Sequence, residues 1–186
     1  DKTGTKITFK PDGTIFETLE FSYETLERRF RELAFLNSGI KITLVDERFD
    51  KVKEFCNEGG IASYVKYLNK TKTLLFDEPI YIKGESGNII VELAVIYNDS
   101  YNESIHSYVN NIHTEEGGTH EAGFKAALTK VFNSYVSKNN LVKESNLSGD
   151  DIREGMSAVI SIKMTDPVFE GQTKTKLGSN SAKTAV

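Results

Sequence analysis

Residues 171–178 read Gly-Gln-Thr-Lys-Thr-Lys-Leu-Gly. Gln172, Thr173, Lys174 and Lys176 thus place an amide, a hydroxyl and two ammonium groups on one glycine-bounded stretch. Such a stretch suits an anionic ligand such as a terminal phosphate, with lysine acting as a point charge. Other familiar signals fail. His120-Glu121 opens like the zinc-protease H-E-x-x-H, but Phe124 stands where the second histidine must be. His106, His113 and His120 are spaced by seven, yet the first falls in an expected strand and the last opens an expected helix. They are read as surface or helix-cap histidines. Neither G-x-x-x-x-G-K-[ST] nor G-x-G-x-x-G occurs, and no serine or cysteine sits beside an obvious base. The lone Cys56 is read as buried or half-buried, since a reactive thiol wants a nearby cation or a helix N-terminus. The N-x-[ST] matches at Asn69, Asn98, Asn102 and Asn146 carry little information without a secretory signal.

Composition narrows the class. The 186 residues suffice for one large domain, or one domain plus a piece of another. Apolar residues make up 38%, but 11 Phe and 8 Tyr argue against a disordered chain. A formal charge of −4 excludes a general polycation, so any nucleic-acid contact must be a local patch. One cysteine excludes an intramolecular disulfide framework and a cysteine-based zinc ribbon. No apolar run approaches the roughly 20 residues of a membrane helix. A soluble, intracellular protein of mixed structure is expected.

The elements that must position the loop follow from periodicity. Residues 4–9 alternate apolar and polar and break at Pro11-Asp12-Gly13, a strand and a turn. Tyr23, Leu26, Phe30 and Leu33 share one face of a helix, with Ser22 as N-cap and Asn37-Ser38-Gly39 as stop. Its charged residues are expected to pair as Arg28 with Glu32 and Glu27 with Arg31. Ile40, Ile42 and Leu44 alternate, and a charged turn over 46–50 returns the chain through 52–55 as a hairpin. Gly59-Gly60 precede a short helix through Ile61, Tyr64, Val65 and Leu68. Strands are expected over 80–83, 89–97 and 105–109, the second apolar on both faces and therefore central. After Gly117-Gly118, Phe124, Leu128, Val131, Phe132 and Tyr135 form the strongest helical stripe in the chain. A polar stretch from Lys138 to Asp151 leads into a strand over 158–162, and the chain from Asp166 onward reads as loop. The class is α+β, with helices packed on one side of a sheet.

Two segments stand out from this background. Residues 110–124, taken alone, read as a strand end, a glycine turn and a capped helix start. Residues 149–178 include the Gln172-Thr173-Lys174 loop. With Phe9-Lys10-Pro11-Asp12, the run from Arg31 to Asn37 and Glu58-Gly59-Gly60-Ile61, they resemble the ATPase subunits of bacterial type IIA topoisomerases. These are the DNA gyrase B proteins and their topoisomerase IV paralogues, and the resemblance leans toward gyrase. It covers essentially the whole chain.

The resemblance implies a transducer domain with the ribosomal small-subunit protein 5 domain 2-like fold over 17–186. Residues 1–16 would then be the last strand of a preceding GHKL-type ATPase domain. It implies that the loop reaches the ATP site of that domain, with Lys174 on the γ-phosphate, Gln172 beside it and Thr173 between them. Thr5 would line the adenine pocket, and Lys125 would face a cavity that holds double-stranded DNA. ATP with magnesium is the implied cofactor, but the general-base glutamate, the magnesium-binding asparagine and the ATP lid would lie upstream of residue 1. The implied setting is a cytoplasmic isomerase, in which the parent protein would dimerise and join DNA gyrase A in a heterotetramer. ATP binding and hydrolysis would be coupled there to DNA gate closure and strand passage, and the 186 residues alone would be inactive. The loop is expected to lack order without its neighbouring domain. A ribosomal-protein-like nucleic-acid-binding or structural module without nucleotide coupling is the competing reading.

Overall fold

The computed structural model describes residues 3–141 and 147–186. Asn146 and part of the polar stretch from Lys138 to Asp151 lie outside the described residues. Ser22, in extended backbone, accepts the Thr25 N–H on its hydroxyl at 3.2 Å and starts α1 (Tyr23–Leu36). The helix closes where the Asn37 N–H reaches the Leu33 carbonyl, and Gly39 follows at φ +83°. Its ion pairs are Arg31 with Glu27, as expected, and Arg29 rather than Arg28 with Glu32, at 3.0 Å. Arg29 also donates to the Asn111 carbonyl, which draws it rather than Arg28 to that side. The hairpin forms as β1 (Lys41–Asp46) against antiparallel β2 (Lys51–Cys56), with Val45 opposite Val52. Phe55 points inward and is buried, so the alternation of a strand turns Cys56 outward. Cys56 is exposed, which corrects its expected burial.

The short helix is α2 (Gly60–Leu68). Beyond it lies a five-stranded sheet of β3 (Ile80–Ser86), β4 (Ile89–Tyr97), β5 (Ser104–Val109), β6 (Ile112–His113) and β7 (Met156–Lys163). The strand order is β3-β4-β7-β5-β6, antiparallel throughout except for the parallel β5–β7 pair. Between β6 and β7 come α3 (Thr119–Lys138) and α4 (Gly149–Arg153). After β7, the stretch read as loop ends in a further short helix, α5 (Asn180–Ala185).

The α+β class holds, but the helices cover both faces of the sheet, not one. On one face Val91, Leu93, Val95, Ala158, Ile160 and Ile162 pack with Phe124 of α3 and Ala182 of α5. On the other, Ala94, Ile96, Tyr108 and Val159 pack with Phe35 of α1 and Ile61, Tyr64 and Val65 of α2. Strands apolar on both faces need a layer on each, because an uncovered face would leave that surface in water.

Two further expectations change. Residues 4–9 form no strand. Ile7 and Phe9 are exposed, and among the described residues no neighbouring strand offers this segment a hydrogen-bonding ladder. In α3 only the first half of the apolar stripe is used. Phe124 is buried and Leu128 packs on the core, while Val131 and Tyr135 are more than 60% exposed. The described residues supply no layer over that second half.

Candidate functional site

The 168–178 segment closes on itself as a narrow hairpin. Phe169 bridges Leu177, the Glu170 N–H donates to the Lys176 carbonyl at 3.0 Å, and the Gly178 N–H donates to the Val168 carbonyl at 2.8 Å. At the tip the Lys174 N–H donates to the Gly171 carbonyl at 3.1 Å, and Lys174 itself takes φ +59°. A turn followed by a left-handed residue is a standard way to close a three-residue hairpin loop. The expected disordered loop is therefore a defined turn. Gln172, Thr173 and Lys174 are exposed on it. Lys176 pairs with Glu170 at 3.1 Å, whereas Lys174 has no ion pair among the described residues.

The hairpin stands on the other segment that the sequence singles out. Leu177, fully buried, forms a parallel bridge with Gly118. Its N–H donates to the Gly117 carbonyl at 3.1 Å, and its carbonyl accepts the Thr119 N–H at 3.0 Å. Gly118 has φ +137°, and a Cβ there would lie 2.4 Å from the Leu177 carbonyl oxygen. Only glycine allows this approach. One residue earlier, the Glu116 N–H donates to the Thr175 carbonyl at 2.9 Å, and the Thr175 hydroxyl donates to Glu116 Oε1 at 3.1 Å. The contributions of Glu116, Gly118 and Leu177 escaped the sequence reading. The adjacent glycines just ahead of a helix were the one available hint of a close backbone contact.

The remaining candidates lie elsewhere. Thr5 sits in the exposed N-terminal stretch, and among the described residues no hydrogen bond or strand pairing joins it to the hairpin. Lys125, on α3, holds its ammonium 2.5 Å from Glu103 and 3.0 Å from Glu121, and Arg153 also pairs with Glu103. Burial works to lower the Lys125 pKa, but the hydrogen bonds to the two carboxylates outweigh it and hold it raised. The cation is firmly charged and already neutralised by its neighbours.

The histidines are not all at the surface. His120 is completely buried, and burial pushes its pKa down to about 4. His106 and His113 stack with ring centroids 5.9 Å apart, and burial with the neighbouring His113 lowers the pKa of His106. Asn69 and Asn98 are buried in a hydrogen-bonded cluster, which leaves these N-x-[ST] sites out of reach.

The donor set of the hairpin tip fits a phosphate: an ammonium with no ion pair among the described residues, an amide and a hydroxyl on exposed backbone. Among the described residues no group of three His, Cys, Asp or Glu could hold a metal ion. Among them, too, no helix is long and apolar enough to cross a membrane.

A family model described as DNA gyrase B matches residues 60–186. The DNA gyrase B protein of Clostridium acetobutylicum is 60% identical over 182 residues, covering 96% of this chain and 29% of the relative. That of Halalkalibacterium halodurans is 57% identical over 188 residues, covering 99% and 30%. The chain thus spans less than a third of the length of these relatives. Among solved structures, the 43K ATPase domain of Thermus thermophilus gyrase B in complex with an aminocoumarin superposes with TM-score 0.81 at 39% identity. That match covers 95% of this chain and 48% of the other. The topoisomerase IV ATP-binding domain of Francisella tularensis, in complex with a small-molecule inhibitor, gives 0.76 at 26%, covering 94% and 48%. With most of its length matched by the family model, and with relatives this similar over nearly all of it, the chain belongs to the DNA gyrase B family.

Proposed function

We propose that this chain is the transducer region of the ATPase subunit of a bacterial type IIA topoisomerase. In this reading residues 17–186 form the transducer, and residues 1–16 belong to the edge of a GHKL-type ATPase domain. The observation that carries it is the Lys174 ammonium, without an ion pair among the described residues, at the tip of a short hairpin whose base is locked against Gly117 and Gly118.

ATP with magnesium supplies the phosphoryl group whose charge grows during hydrolysis. Lys174 meets that charge, Gln172 and Thr173 offer hydrogen bonds beside it, and Thr5 lines the adenine pocket. A lysine aimed at developing charge contributes most when its position is fixed beforehand. Because Lys174 belongs to a second rigid body, its contact exists in one interdomain arrangement only. ATP favours that arrangement by its differential affinity, and hydrolysis releases it. The arrangement closes a gate in a dimer that works with DNA gyrase A on double-stranded DNA in the cytoplasm. Lys125, paired with Glu103 and Glu121, offers no unneutralised charge, which weighs against that residue as the contact of a simple nucleic-acid-binding module.

The test is Lys174→Ala in the full-length protein, measuring ATP binding and turnover. A fall in turnover of roughly 100-fold or more, with binding largely kept, is expected. Turnover equal to wild type would show that the loop does not reach the ATP site.

A further inference from the structure

Lys174 stands on two glycine-flanked arms, and a turn of that kind swings freely unless something fixes its azimuth. Above the base at Leu177, the fixation nearest Lys174 comes from one residue. Glu116 holds Thr175, the immediate neighbour of Lys174, by main chain and side chain together: N–H to the Thr175 carbonyl at 2.9 Å, and Oε1 to the Thr175 hydroxyl at 3.1 Å. The grip passes inward without a break. The Gly117 N–H donates to the Thr114 carbonyl at 2.8 Å, and the Thr114 N–H donates to the carbonyl of Ser107 in β5 at 2.9 Å. Thr114 and Ser107 are buried, and their hydroxyls bond to each other at 2.7 Å. A continuous run of hydrogen bonds therefore ties the residue beside Lys174 to the central sheet. The Glu170–Lys176 ion pair, which spans the two arms, is open to solvent and fixes little.

We infer that Glu116 and Thr175 are positioning residues for Lys174, setting where its ammonium stands relative to the body of the domain. This rests on the proposed role of Lys174 at the γ-phosphate. Displacing a catalytic group by about 1 Å costs on the order of 100-fold in rate. Loss of one of several tethers is expected to cost roughly tenfold, because the main-chain bonds survive.

The experiment measures ATP turnover by the full-length protein carrying Glu116→Ala, Glu116→Gln, Thr175→Val or Thr175→Ser, each also combined with Lys174→Ala. Thermal melting confirms that each variant is folded. Glu116→Ala and Thr175→Val should lower kcat roughly tenfold with KM for ATP within about twofold of wild type. Glu116→Gln keeps the acceptor and Thr175→Ser keeps the donor, so both should recover most of the rate. In the Lys174→Ala background none of the four should lower the rate further, because the group they position is gone. Wild-type turnover by Glu116→Ala, or an equal loss with and without Lys174, overturns the positioning role. Failure of Glu116→Gln to recover also overturns it, since charge rather than geometry would then be at work. Unchanged turnover in Lys174→Ala alone overturns the underlying reading of the loop, and is thereby distinguished from failure of the positioning role.

Discussion

Acidification should weaken this fold, and the share carried by His120 can be worked out from its surroundings. The ring is completely buried at the start of α3, with Nε2 3.1 Å from Thr114 Oγ1. The Thr114 hydroxyl already gives its proton to the Ser107 carbonyl at 2.8 Å, so Nε2 carries a proton and donates. Nδ1 is then a buried acceptor with no partner among the described residues. Protonating it would place an uncompensated cation in the interior, and burial accordingly lowers its pKa from 6.5 to about 4. The folded value lies below the unfolded one, so the unfolded chain binds the proton first as pH falls. Stability is complete above about pH 6.5 and drains as pH drops toward 4. The linked loss is about 2 kcal/mol at pH 5 and about 3 kcal/mol at pH 4, where it levels off. Denaturant melts of wild type and His120→Gln at pH 7.5 and pH 5 isolate the effect, because the carboxylates and His106 are common to both proteins. Wild type should lose about 2 kcal/mol more than the variant over that interval. Equal losses within about 0.5 kcal/mol would show that His120 takes up its proton without penalty, and the reasoning from its burial would fail.

Two further outcomes follow from close contacts. Gly118→Ala places a Cβ 2.4 Å from the Leu177 carbonyl oxygen, so the hairpin base must move away from α3. A lowered denaturation midpoint equivalent to about 2–4 kcal/mol is expected, from strain and lost backbone bonds together; a shift below about 0.5 kcal/mol would contradict the contact. Asn69 donates to the Val65 carbonyl at 2.7 Å and accepts from Asn98 and Ser157 at 2.9 Å each, all buried. Asn69→Ala strands two donors, and equilibrium unfolding should show a loss of about 2–4 kcal/mol. Asn98→Ala in that background should then cost far less than it does alone, and additive losses would refute a shared network.

What the sequence by itself determined is what neighbouring residues decide among themselves. Ser22 capping α1, the hairpin through 46–50, α2 behind Gly59-Gly60, and the two-faced apolar pattern of β4 all follow from periodicity, caps and turn chemistry within a dozen residues. The chemistry of the loop was legible for a similar reason, since Gln172, Thr173 and Lys174 lie side by side between glycines. Periodicity says that a face must be covered, but not by what. That the helices divide between the two faces of the sheet was therefore decided only when α1 with α2, and α3 with α5, chose opposite sides. Whether the stripe at Val131 and Tyr135 is covered depends on what lies opposite it. Cys56 is exposed because Phe55 took the inward position of β2. His120 is buried because the hairpin and β5 close around the start of α3. Above all, the tie between Gly118 and Leu177 joins residues about sixty positions apart. A contact of that kind depends on the folded paths of both segments, and no local spacing encodes it. The residues that could meet a phosphate were readable in the chain, whereas the seat that holds them at a fixed place was supplied by the tertiary structure.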